Sequence, residues 1–159
     1  MFYGGDSYDT ALAEISAHRK TTHALVGKFR TVKDNMVINL SRLPELPSSF
    51  NGDAREEYYM ISFLRQFAED LAQPIVLDGR EHIDYVPTQI FTEYLRLETA
   101  YPVHGLVFNS TQCPGKNTVL FCGLDACAND GSTIPDTIEL VLEAGSVRDI
   151  EVPRTPSTT

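Results

Sequence analysis

The sequence predicts an α+β domain, and three observations lead there. Glu56 to Leu71 and Pro87 to Arg96 carry apolar residues at helical spacing, while several short runs rich in Val, Ile, Phe and Thr are bounded by turn residues. The two kinds of segment follow one another without the regular β-α-β alternation of a doubly wound sheet. At 159 residues, 42% apolar and 22% charged, the chain can bury one core without disulfide or metal staples. A single domain is expected over residues 1–152, with a disordered tail from 153 to 159.

Phe2-Tyr3 reads as a short extended piece stopped by Gly4-Gly5. Asp6 or Ser7 then caps a helix through Thr10 to Ile15, since a side-chain oxygen there satisfies the first free backbone N–H groups. Leu12 and Ile15 share the core-facing side, which leaves Glu14 beside that stripe. Thr22 to Val32 and Asn35 to Leu40 read as a β-hairpin turning at Lys33-Asp34-Asn35. Leu43 to Gly52 is a loop, because Pro44 and Pro47 prevent a regular element.

Asp53 is expected to cap the next helix, whose stripe runs through Tyr59, Met60, Phe63, Leu64, Phe67 and Leu71. Another helix opens at Pro87, where the missing N–H is harmless, and continues to Arg96. Val103 to Phe108 and Thr118 to Cys122 read as strands around the turn Cys113-Pro114-Gly115-Lys116. Ile138 to Leu142 and Val147 to Val152 read as a last β-pair.

Thirteen basic against 22 acidic side chains give a formal charge of −9, and the basic residues gather in the N-terminal third. No broad basic face is available to neutralise phosphates, so nucleic-acid binding is not expected. Arg19, Lys20, Lys28, Arg30 and Lys33 are read as solvated positions rather than as an anion site. No apolar run approaches the ~20 residues of a membrane span, and the first residues lack the pattern of a secretory signal, so the expected compartment is the cytoplasm. Cys113, Cys122 and Cys127 lack the paired spacing of a zinc site and are read as free thiols.

Metal and cofactor motifs are not found. Gly4-Gly5 is too short for a phosphate cradle. His18, His23, His82 and His104 lack the spacing of a helical metal site. Ser110 has no nucleophile elbow around it.

Three segments carry a family resemblance. Phe2-Tyr3-Gly4-Gly5-Asp6 with Thr10-Ala11-Leu12-Ala13-Glu14 is similar to the start of the RES domain, a toxin-like family named for an arginine, a glutamate and a serine. Asp84-Tyr85-Val86-Pro87-Thr88-Gln89 with Glu93-Tyr94-Leu95-Arg96 resembles its helix-opening Y-x-P-T-Q block. His104 to Ser110 and Gly115 to Phe121 resemble its G-[IL]-x-[YF]-x-S and G-x-N-x-x-x-F strands. Together the blocks span residues 1 to about 123 in the family's order.

The resemblance implies an α+β fold related to ADP-ribosyltransferases, with a mixed or antiparallel sheet flanked by helices. It also implies destruction of NAD, as substrate and without a further cofactor or metal, by cleavage of the nicotinamide–ribose bond. Glu14 then takes the glutamate's role, Ser110 the serine's, and Tyr3 that of the site's aromatic residue. The residue types suit this chemistry: a carboxylate can stabilise the positive charge that develops on the ribose. Tyr3 can pack on nicotinamide or bond a phosphate, and Ser110 can position the ribose or the amide.

A small antitoxin protein is the implied partner. The family's arginine precedes the F-Y-G segment and has no counterpart here, so the resemblance implies a domain truncated at its N-terminus and weakened by the loss. The rival functions are a nucleotide- or protein-binding module that has lost turnover, and an ADP-ribosyltransferase acting on a macromolecule. Thr88 and Gln89 are assigned to helix packing and Asn117 to a turn, all three outside the site. Taken singly, Glu14 also reads as a helix acid, Tyr3 as a core aromatic and Ser110 as a strand-end cap.

Overall fold

A computed structural model describes residues 1–18, 22–72, 86–98, 101–131 and 134–152. The expected disordered tail, Arg19, Lys20, His82 and the Asp84-Tyr85 part of the second block lie outside them. The described elements are mixed helix and strand, as expected of an α+β chain. In order they are β1 (Phe2–Gly5), α1 (Tyr8–His18), β2 (His23–Val26), β3 (Phe29–Thr31), β4 (Val37–Asn39), α2 (Arg55–Ala72), α3 (Val86–Leu97), β5 (Gly105–Asn109), β6 (Lys116–Leu120), β7 (Cys127–Asn129), β8 (Leu140–Leu142) and β9 (Arg148–Glu151). No helix among the described residues is long and apolar enough to cross a membrane.

The central sheet has the order β1-β6-β5-β4, antiparallel except for the parallel β4–β5 pair. Its centre is the expected hairpin of β5 and β6, with Leu106 opposite Val119 and Phe108 opposite Asn117. Cross-strand partners share a face. Tyr3, Val119, Leu106 and Ile38 therefore line one row of a face, and Gly5, Asn117 and Phe108 the next.

This face packs on α2 and α3: Leu106 and Phe108 join Leu40, Phe67 and Leu95 in a core flanked by Leu64, Leu71 and Phe91. The opposite face sends Leu120 and Phe2 against Leu140, Ala126 and Cys122, beside the small sheet β3-β8-β7. Phe2 meets Phe29 of β3 edge-on, with ring centroids 4.9 Å apart.

Several expectations change. Thr22–Val32 and Asn35–Leu40 do not form a hairpin: β2 pairs with β9, β3 with β8, and β4 with β5, each in a different sheet. Nor do the last two strands pair with each other, because β8 lies between β3 and β7 while β9 pairs with β2. β-rich composition marks a strand but does not name its partner. β7 was not foreseen; three residues hold too little pattern to read.

At the helices the shifts are smaller. Ser7 Oγ accepts the Thr10 N–H at 3.1 Å and so caps α1. Asn51, not Asp53, caps the 3-10 turn Gly52–Ala54 that leads into α2. The expected stripe of α2 holds in its second half, where Leu64, Phe67 and Leu71 pack in the core, but not in its first, where Ile61 is 1% exposed while Tyr59, Met60 and Phe63 are more than half exposed. On α1 the most buried positions are polar, Thr10 and Glu14, with Leu12 and Ile15 only half-buried.

Candidate functional site

The site begins with the close seat of α1 on the sheet. Its first turn lies directly on Gly5 and Gly115, where an added Cβ would collide with Thr10 and, at Gly5, with the Ala11 backbone as well. Only a residue without a side chain permits this approach. The turn is locked from within: Thr10 Oγ1 donates to Asp6 Oδ1 at 2.8 Å and lies 2.9 Å from Ser7 Oγ. The Asp6 N–H also donates to the Lys116 carbonyl at 2.9 Å, tying the end of β1 to β6.

One turn after Thr10, Glu14 points at the sheet and is 9% exposed. Its Oε1 accepts two hydrogen bonds, from Ser110 Oγ at 2.7 Å and from Asn117 Nδ2 at 2.6 Å. Burying a carboxylate is expensive in free energy, and two convergent donors offset part of that cost. Ser110 stands just beyond β5, in the hairpin loop. Its N–H donates to the Gly115 carbonyl at 2.9 Å, and its Oγ accepts the Gln112 N–H at 3.1 Å. That local turn orients the hydroxyl toward Glu14. The Cys113 thiol lies 4.0 Å from the same hydroxyl.

The structure therefore brings Glu14 and Ser110 together across 96 residues. Tyr3 lies on the same sheet face one row away, half exposed, with its ring centroid 6.4 Å from that of Phe108. Asn117, assigned from sequence to a turn outside the site, is instead inside β6, 2% exposed and bonded to Glu14. A polar residue of the G-x-N-x-x-x-F strand, alternating with Val119 and Phe121 on the side that points to the core, was the signal that could have revealed it.

Among the described residues the cations and histidines do not assemble into a second site. Arg30 pairs with Asp130 at 3.4 Å, the Lys33 ammonium donates to the Asp136 carbonyl, and the Lys28 ammonium stands 5.7 Å from the Tyr8 ring centroid. His104 Nδ1 accepts the Met36 N–H at 2.9 Å, and His23 faces Asp149 at 3.3 Å. Among the described residues no group of three His, Cys, Asp or Glu side chains is placed to hold a metal ion. Cys113, Cys122 and Cys127 are free. Burial pushes the Cys122 and Cys127 thiols above the ordinary value of 9.0, with nearby carboxylates adding to the effect.

An α+β chain whose first helix delivers a buried carboxylate to a serine at the end of a hairpin strand has the order of elements read from the sequence blocks. The RES domain family model matches residues 1–143, and the chain belongs to that family. The family is associated with toxin-like, NAD-processing domains. No curated protein matches the chain, and no solved structure does.

Proposed function

We propose that this domain degrades NAD by cleaving the bond between nicotinamide and ribose. The observation that carries the reading is Glu14: a buried carboxylate held by two donors, on a sheet face it shares with the half-exposed ring of Tyr3. As the carbon–nitrogen bond breaks, its electron pair leaves with nicotinamide and positive charge spreads over the ribose ring. A fixed carboxylate stabilises that charge without reorganising.

Tyr3 offers its ring to the nicotinamide. Ser110 acts through Glu14, since its hydroxyl donates to the carboxylate. Water then adds to the anomeric carbon and releases a proton, giving ADP-ribose; inorganic phosphate in place of water gives the 1-phosphate. The ADP-ribosyltransferase relationship belongs to the same reading, because both chemistries pass through the same ribosyl cation.

An enzyme that drains NAD in the cytoplasm has to be restrained in the cell that makes it. A small antitoxin protein covering the Tyr3–Glu14 face fits that need. Co-purification with a neighbouring gene product checks this part of the reading; recovery of the protein alone from normally growing cells counts against it.

The enzyme itself is tested by NAD loss, using protein expressed from the complete natural reading frame. Glu14→Gln keeps an oxygen for both donors and removes the charge, so the fold stays and the rate falls at least about a hundredfold. Turnover by Glu14→Gln at the wild-type rate would overturn the assignment.

A further inference from the structure

Asn117 occupies a position where an amide is hard to explain by packing. It is 2% exposed, and on its face of the sheet stand Val119, Leu106 and Phe108. A buried amide is tolerated when both of its ends are bonded. Here only one end is bonded by a side chain: Nδ2 donates to Glu14 Oε1 at 2.6 Å, while Oδ1 is buried and has no hydrogen-bond partner. Turning the amide over would set an oxygen against the carboxylate oxygen, so the donor must face Glu14. Leucine has nearly the same shape and would remove the orphaned acceptor. What leucine could not supply is the N–H aimed at Glu14.

Two donors from separate elements meet on Oε1: Ser110 from the hairpin loop and Asn117 from β6. The two donors reach the carboxylate from different directions, and each restricts its last torsion. The unbonded Oδ1 is a standing cost of keeping that second donor in the core.

We propose that Asn117 is a positioning residue that holds the Glu14 carboxylate in its reactive orientation. The inference rests on the NAD-cleaving reading, in which Glu14 faces the ribose, and it adds a residue that acts only through Glu14. At 2% exposure Asn117 has almost no open surface to offer a substrate, so its effect passes through Glu14. Its removal therefore lowers kcat and leaves KM for NAD nearly unchanged, because the misplaced charge is felt in the transition state and not in ground-state binding.

The test compares wild type, Asn117→Leu and Asn117→Ser, each expressed from the complete reading frame. Steady-state NAD consumption is measured and scaled to the folded fraction from circular dichroism. A fall in kcat of about 10- to 100-fold with KM within about twofold is expected for each folded variant. Asn117→Ser, smaller and polar, serves if the leucine variant does not fold. Wild-type kcat in either folded variant overturns the proposal, and so does a rise in KM at unchanged kcat, which would mark a substrate contact. A wild type that consumes no NAD overturns the functional reading itself and this inference with it.

Discussion

Gly115→Ala adds one methyl group at the point where α1 rests on the β5–β6 hairpin. That carbon would lie inside van der Waals contact of Thr10 Oγ1, 3.0 Å from Asp6 Oδ1 and 3.1 Å from Thr10 Cγ2. Thr10 cannot turn away, because both of its γ atoms are already too close and its hydroxyl is held by Asp6 and Ser7. At 2% exposure it has no solvent to retreat into.

Relief therefore needs α1 to lift from the hairpin by about 1 Å, at a cost of about 2 kcal/mol, in the range found when methyl groups are forced into packed cores. For a chain of this size that lowers the melting temperature by about 4–8 °C. Glu14 rides on the same helix one turn later, so the lift stretches both of its hydrogen bonds, and a shift of this size lowers a catalytic rate by about a hundredfold. The assay is thermal unfolding by circular dichroism, beside the NAD consumption proposed for this domain. Thr10→Ala removes two of the three crowding atoms, so the double variant should lose less stability than the two single changes together. A Gly115→Ala variant that melts with wild type and consumes NAD at the wild-type rate would refute the close seating of α1 and its link to the site.

Three further outcomes are expected. Ile61→Ala should cost about 2–5 kcal/mol, because it empties a fully buried position, whereas Met60→Ala on the open side of α2 should stay within about 0.5 kcal/mol; equal losses in urea unfolding would return the buried stripe to the expected side. The Cys122 thiol, raised first by burial and then by the charge of Glu139, should label with iodoacetamide far more slowly in the native chain than in urea at pH 7.5. The raised values of Cys122 and Cys127 mean that above pH 9.0, the ordinary thiol value, the folded state binds more protons than the unfolded state. Their contribution to stability is then complete below that pH and is lost as pH rises through the folded values; stability that climbs across this range would contradict the burial.

The sequence by itself determined the parts of this protein whose information is local. The α+β class, the three described helices and the β5–β6 hairpin follow from periodicity, caps and turn residues lying within a few positions of each other. The ordered blocks around Tyr3, Glu14 and Ser110 were legible in the same way, and so was the family. Tertiary structure decided what depends on contacts across the chain. It separated β2, β3 and β4 into different sheets, because a strand's composition says that it must pair but not with which partner. In the first half of α2 it buried Ile61 and left Met60 open, while Leu64, Phe67 and Leu71 kept the expected side. It also brought Asn117 to Glu14 over 103 residues. In sequence Asn117 is one polar residue near a turn; its meaning comes from the carboxylate opposite, which only the seating of α1 on Gly5 and Gly115 brings within hydrogen-bond reach.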